Sequence, residues 1–556
     1  MTTYLILDQQ QDFELLGAQS RSGETMLVPL AAVARCGVPA SWSPDRILPL
    51  SKLISADRLG VEVRRRRDWL RDSYDELPAC PFYKTHQIVD VFLEKQVLVE
   101  ALEQLPGEKL FVDQTGAWIS ADGDNDEGLR IAASYMRGRP EFRAPVSEHM
   151  PRRRTELRLF ARLARSAWQA WRQPSPGTAR HGTGATLGYG AARYFETEGS
   201  TSITVGQLVL ACLRRPFSGW SLAWHLLRHD RPILLARKSS TASLPFIEVL
   251  AELQARASLV HDVAAKLCGR WNGLEFFFTV NYGPIVEIAI ARALRSAGVP
   301  VVTMQHALMG HDRWTASQYL DTWASDAKIV SSIVVADSMR SFERQTDCEH
   351  IPVTLPMLRR PLKKTAWGGR KILYVVTGFT RANTMYDNRR VNDSLYLELV
   401  SGKLAKLKER YEVLLRPHPY DSRQYGGAIA TWLCATTGAT LCTDPIDRVD
   451  AAILIDSPST ILADAMFAGR PIFVVNETAA LQPRFEQMAR LAHSLFDDVE
   501  ALMGYLSATE TVQVCRDQDS YAREFAAEYF GHDEGSLLDA VQQWLAVRNA
   551  RTANLD

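Results

Sequence analysis

Apolar residues come in short bursts along this chain, and two spacings recur inside them. In the first, aliphatic or aromatic residues run together and stop at a turn-forming residue. TYLILD (3–8), KLFVD (109–113), LEFFFTVN (274–281), VPVVTMQHA (299–307) and KIVSSIVVAD (328–337) are of this kind. So are KILYVVTGF (371–379), YEVLLRPHP (411–419), AAILIDSPS (451–459) and RPIFVV (470–475). Such runs, with little polar alternation, predict strands covered on both faces, as in a parallel sheet. In the second, apolar positions return every third or fourth residue. VDVFLEKQVLVEALEQL (89–105), PIVEIAIARALRSAG (284–298), the segment around 392–410, TILADAMFAG (460–469) and SLLDAVQQWLAV (536–547) follow this spacing and predict helices.

The two kinds alternate, which places the chain in the α/β class. Residues 274–307 read as a βαβ unit, with the helix stopped at Gly298. The same rhythm restarts at 371, after LRRPLKKTAWGGR (358–370), a predicted interdomain linker. The expected organisation is an α/β domain over 1–357, that linker, and an α/β domain over 371–556 with a helical tail. The first domain carries a helical insertion and linker at about 150–270. Within it, 174–203 is rich in Gly, Ser, Thr and Pro and reads as a long loop or linker. Two Rossmann-type doubly wound domains facing a central cleft are therefore expected, with ligands beyond the carboxyl ends of the strands.

Composition narrows the function. Sixty-four basic residues balance 64 acidic ones, so no overall field points to nucleic acid. The eight cysteines (36, 80, 212, 268, 348, 434, 442 and 515) are widely spaced, with no CxxC or CxxH cluster. That argues against a disulfide scaffold or zinc site and suits a reducing cytoplasm. MTTYLILDQQQDF has neither the basic start nor the apolar core of a signal peptide, and no apolar run reaches the length of a membrane-spanning helix.

Three segments at strand ends could carry chemistry. In Arg416-Pro417-His418-Pro419, two prolines restrict the backbone around one imidazole, which lowers the entropic cost of holding it. His418 could donate to a phosphate oxygen, act as an acid, or simply sit in a structural turn. In ILIDSPSTILADAMFAG (453–469) a strand runs through Asp456-Ser457-Pro458-Ser459-Thr460 straight into a helix. Ser and Thr cap helices well, and a helix N-terminus offers free amides to a phosphate. In VVTMQHALMGHDRW (301–314), His306 follows a strand of the first domain. It could be a general base, bind an acceptor, or support its loop.

Together these segments resemble the GT-B glycosyltransferases of bacterial surface-polysaccharide assembly. That group includes capsule and O-antigen Kdo transferases, bacterial sialyl- and polysialyltransferases, and the related CDP-glycerol glycerophosphotransferases. Arg416-Pro417-His418-Pro419 resembles their HP motif and Ser457-Pro458-Ser459-Thr460 their serine motif. Gln305-His306 resembles a Gln-His-Gly motif, with Ala307 in place of the glycine. The resemblance covers about 274–476. It implies a GT-B-like fold whose C-terminal domain binds the phosphate of a cytidine nucleotide through His418, Ser457, Ser459 and Thr460, with Arg416 in the same motif. The loop TGFTRAN (377–383) would help through Gly378 and Arg381.

The implied reaction is inverting transfer of Kdo or a nonulosonate such as sialic acid from a CMP-sugar to a capsule or lipopolysaccharide glycan. No metal and no cofactor are expected. The base could be His306; Asp126, in Asp126-Glu127-Gly128, resembles the acidic motif of sialyl- and Kdo transferases but also reads as a solvated turn. Glu287 is a further base candidate, and Gln305 and Asp312 fall on the acceptor side. The same cytidine site would serve a CDP-glycerol or CDP-ribitol phosphotransferase. A non-catalytic glycan- or membrane-binding protein on a degenerate transferase scaffold is the reading from another class.

RRRTELRLFARLARSAWQAWRQ (152–173) is basic, with apolar residues at helical spacing, and LRRPFSGWSLAWHLLRH (213–229) is similar. Such a helix could lie on an anionic inner leaflet or pack on the protein with its basic face solvated. The first option fits a cytoplasmic enzyme, peripheral on the inner membrane face, acting on a lipid-linked or polysaccharide acceptor.

Overall fold

Among the described residues all pairings between strands are parallel, as expected from the unbroken apolar runs. The computed structural model describes residues 2–7, 25–73, 94, 97–112, 142–143, 183–187, 201–202, 274–279, 291, 293–304, 325–342, 348–376, 392–418, 427–456, 461–475, 494–530 and 535–553. Their strands form three sheets.

The first sheet contains β1 (Thr3–Leu7), β2 (Thr25–Pro29), β3 (Glu108–Val112) and β4 (Phe142–Arg143), in the order β2-β1-β3-β4. Helices α1 (Ala32–Cys36) and α2 (Ala56–Ser73) accompany it. The second contains β5 (Thr183–Leu187), β6 (Thr201–Ser202), β7 (Leu274–Thr279), β8 (Val301–Met304), β9 (Ala327–Val330) and β10 (Glu349–Pro352), in the order β10-β9-β8-β7-β5-β6, with α3 (Ile333–Phe342). The third contains β11 (Lys371–Val375), β12 (Glu412–Arg416), β13 (Thr440–Leu441), β14 (Ala452–Ile455), β15 (Ile472–Val475) and β16 (Leu495–Phe496). Its order is β13-β12-β11-β14-β15-β16. With it come α4 (Asp393–Lys408), α5 (Ala428–Thr437), α6 (Ile461–Ala468), α7 (Val499–Ala508), α8 (Thr511–Tyr529) and α9 (Leu537–Ala553).

The third sheet is buried on both faces, and its period-two alternation divides the covering helices. Ile372, Tyr374, Val413, Leu415, Leu454 and Phe473 face α4, α5 and α7. Leu373, Val375, Ile453, Ile455 and Val474 face α6, α8 and α9. The second sheet shares that latter core through Phe276, Phe278, Val302, Met304 and Ile329. Ion pairs from Arg548 to Asp326 and from Arg551 to Glu349 also tie α9 to the second sheet.

Two local expectations change. KIVSSIVVAD does not continue as a strand: β9 stops at Val330 and α3 begins at Ile333. Ser332 Oγ accepts the Val335 amide at 3.3 Å, a cap that outweighs the β preference of Ile-Val-Val. The Gly- and Ser-rich stretch 174–203, read as loop or linker, contributes β5 and β6 to the second sheet. The register between β5 and β7 shifts between Thr183 and Ala185, around Gly184, a residue type that often marks such irregularities.

The segment 358–370 is strapped to its neighbours. The Thr365 amide donates to Asp519 Oδ1 at 2.9 Å, and the Ala366 amide to Gly469 O at 2.9 Å. Gly469 ends α6 at φ 65°, and a Cβ there would lie 2.4 Å from Lys364 O. Gly469→Ala is expected to destabilise the protein by about 2–4 kcal/mol, from the left-handed penalty and overpacking against backbone. The check is a lower urea midpoint with unchanged slope.

The first sheet docks on α4 and α5 of the third. Leu395 packs into the core of the first sheet, while Tyr396, Leu397 and Val400 belong to the core of the third. This explains why α4 is apolar on more than one side. Glu398 accepts the Leu50 amide at 2.9 Å, and Arg35 lies 5.5 Å from the Trp432 ring centre. Cys36 sits in this contact, its thiol pushed up by burial and further by the Asp393 carboxylate. With little thiolate at pH 8, Cys36 is expected to alkylate at least about tenfold more slowly than a free thiol, a rate read by peptide mass spectrometry.

Candidate functional site

The third sheet runs 3-2-1-4-5-6 when its strands are numbered by sequence. In that order the connection reverses between β11 and β14, the position at which sheets of this topology bind ligands beyond the carboxyl ends of their strands. The strands end nearly level, with Arg416 paired to Val375 and Ile455 paired to Val474. β12 and β14 flank β11 on either side, so their exits stand about 10 Å apart at the usual strand spacing.

β12 delivers the first predicted element. Its last residue, Arg416, accepts the Val376 amide through its carbonyl at 3.0 Å, and its guanidinium donates to Asp444 O. That side chain is thereby anchored at the rim of the sheet. Pro417 and the half-buried His418 follow directly. The strand and the proline therefore bring His418 to the carboxyl edge of the sheet, beside the switch point.

β14 delivers the second. Asp456, the residue after it, is buried at 8% exposure. Its Oδ2 accepts the Tyr374 hydroxyl at 2.9 Å and the Tyr396 hydroxyl at 2.6 Å. Tyr374 comes from β11 and Tyr396 from the first turn of α4, so one carboxylate joins three elements at the switch point. Buried carboxylates need such donors, because an unpaired one is strongly disfavoured. Asp456, Tyr374 and Tyr396 were missed as site residues in the sequence. The available signals were a tyrosine inside the aliphatic run KILYVV and a carboxylate ending AILI. After Asp456 the chain passes through the serine segment into α6, whose residues Leu462, Ala463 and Ala465–Ala468 are buried.

Of the predicted site residues, Arg416 and His418 are the two within the described residues, and β12 brings them together. His306, Gln305, Asp312, Glu287, Asp126, Ser457, Ser459, Thr460, Gly378 and Arg381 lie outside them, as do the basic segments 152–173 and 213–229. Among the described residues, no cluster of His, Cys, Asp and Glu is arranged to hold a metal ion, and no helix is long and apolar enough to cross a membrane.

No family model matches the sequence, and no curated protein matches it. Among solved structures the chain is similar to a glycosyltransferase from Rickettsia africae, at 12% identity over 66% of this chain and 98% of that one, with a TM-score of 0.32. It is also similar to Anabaena HepE in complex with UDP, at 11% identity over 66% and 99% of the two chains, with a TM-score of 0.33. A third is the wall teichoic acid polymerase TagF soaked with CDPG, at 11% identity over 72% and 98%, with a TM-score of 0.31. Likenesses of this size carry no functional inference, so the function rests on this chain's own residues and topology.

Proposed function

We propose that this chain is an inverting, metal-independent glycosyltransferase of the GT-B type. It moves a 3-deoxy-ulosonic acid, Kdo or a nonulosonate such as sialic acid, from a CMP-sugar to a capsule or lipopolysaccharide glycan. The observation that supports the reading is that β12 and β14, whose sequences run on into the two motifs, both end beside β11 at one switch point. The histidine motif follows β12 and the serine motif follows β14, on either side of β11. In this reading residues 371–556 hold the donor and 1–357 the acceptor.

His418 donates to the departing phosphate, and Ser457, Ser459 and Thr460 present hydroxyls and amides at the start of α6. Arg416, Gly378 and Arg381 complete the cradle. These groups stabilise the charge left on CMP as the glycosidic bond breaks. A base from the acceptor side, for which His306, Asp126 and Glu287 are the candidates, takes the proton of the attacking hydroxyl. Gln305 and Asp312 line the acceptor side. The basic segment 152–173 would hold the enzyme on the inner leaflet, beside a lipid-linked acceptor.

A second reading, transfer of glycerol or ribitol phosphate from its CDP-activated form, is favoured by Gln305-His306, which resembles the motif of the glycerophosphotransferases. A donor panel decides between them. Sugar transfer from CMP-Kdo or CMP-sialic acid, with release of CMP, is the expected result. Phosphopolyol transfer from CDP-glycerol or CDP-ribitol with no sugar transfer would replace it with the second reading. No thermal shift with CMP or CDP would remove the cytidine site altogether.

A further inference from the structure

The first sheet reaches the candidate donor site through a single helical turn. Asn392 caps α4: its Oδ1 accepts the Ser394 amide at 2.8 Å and the Leu395 amide at 3.1 Å. Its Nδ2 points the other way, donating to Leu30 O at 2.9 Å and to Glu94 Oε1 at 2.8 Å, both in the N-terminal unit. Ser394 Oγ donates to Pro29 O at 3.0 Å, at the carboxyl end of β2. All of these groups are buried. Tyr396 lies one turn further, about 6 Å along the helix axis, with its hydroxyl on Asp456.

We infer that the N-terminal four-stranded unit positions the donor site, with Asn392 and Tyr396 as positioning residues that fix Asp456 at the exit of β14. The physical reason is over-determination. An N-cap has one favoured backbone geometry, and here the cap side chain is also held by a second body. The start of α4 therefore cannot turn or slide without breaking buried hydrogen bonds on both sides. Tyr396 inherits that fixed position and hands it to Asp456. Tyr374 holds the same carboxylate oxygen from the strand beside it, so the exit of β14 is set by a strand and a helix together. The N-terminal unit is then part of the donor apparatus, although its strands stand in a different sheet.

The effect on nucleotide binding rests on the function proposed above, and the test separates the two. Tyr396→Phe removes one hydroxyl. Asn392→Ser keeps a good cap but loses both amide donors to the N-terminal unit. In the full chain, hydrogen exchange of 452–468 is followed without ligand, and CMP binding is measured by calorimetry. Both variants should exchange faster across 452–468. Tyr396→Phe should weaken CMP binding about tenfold and Asn392→Ser about threefold. The double variant should fall short of the product of the two, as expected for groups acting in series. If Asn392→Ser loosens only 25–50 and leaves 452–468 and CMP binding unchanged, the inference is overturned. Should Asn392→Ser fail to fold, Ser394→Ala, which removes only the bond to Pro29, is judged by the same outcomes. If the wild-type chain binds no CMP, the donor reading falls, and the exchange measurement alone decides the coupling.

Discussion

His418→Ala is expected to lower kcat/KM for the activated sugar by about 10²–10³-fold, the range for deleting one preorganised donor to developing charge. The fold should survive, with a change in unfolding free energy within about 1 kcal/mol for a half-buried loop residue. The expectation follows from placement. Arg416 is the last residue of a central strand, held by the Val376 amide and by its own bond to Asp444 O. Pro417 then limits the backbone, so little entropy remains to be lost when the imidazole meets a phosphate. His418→Gln keeps an N–H donor of similar reach and should recover about tenfold of the loss. Steady-state kinetics with CMP-Kdo or CMP-sialic acid, alongside urea unfolding, provide the check. Undiminished turnover by His418→Ala would remove the histidine from the donor site.

The parts of this fold legible in the sequence were those where local pattern and tertiary environment agree. β11, β12, β14 and β15 are aliphatic runs because both faces of their sheet are covered, and a run of that kind has few other places to go. The helices expected around 392–410 and over 536–547 were legible from their spacing, and they span Asp393–Lys408 and Leu537–Ala553. Illegible were the elements whose partners decide their state. Ile333–Phe342 is β-prone by composition and helical because Ser332 caps it. Thr183–Leu187 is a strand because β6 and β7 lie on either side of it, in a stretch whose glycines and serines suggest a loop.

The candidate site divides similarly. The position of Arg416-Pro417-His418 was readable because Arg416 ends the apolar run of β12 and covalent geometry carries the next two residues just past the strand. Asp456 was not, because its role depends on Tyr374 and Tyr396, which lie 82 and 60 positions earlier in the chain. No periodicity reports which hydroxyl meets which carboxylate. The docking of the first sheet on α4 was likewise invisible: nothing in the local sequence announces that Leu30 and Glu94 meet the Asn392 side chain.

Phe473→Ala should bring the largest loss of stability, about 3–5 kcal/mol. That is a large share of the roughly 5–15 kcal/mol that holds an ordinary domain folded. Phe473 is fully buried in β15. Its ring meets Trp367, Phe496 and Tyr505 edge-on, at centroid distances of 6.4, 6.0 and 6.4 Å. Edge-on pairs add to simple burial, and three of them converge here from the linker, the neighbouring strand and α7. Collapse into the vacated space is resisted on each side. Trp367 is pinned by its Nε1 bond to Lys371 O at 2.8 Å, and β15 is paired on both edges. Phe473→Leu fills most of the volume and should lose less than half as much. Phe473 pairs with Leu454, two residues before Asp456, so the weakened sheet is the one that carries the switch point. On the proposed donor reading, CMP at about 100 times its dissociation constant for the alanine variant should add about 2.7 kcal/mol to that variant by mass action. Urea unfolding of the wild type and both variants, with and without CMP, measures all three quantities. An alanine variant within about 1 kcal/mol of the wild type would mean that the aromatic cluster does not hold the sheet together.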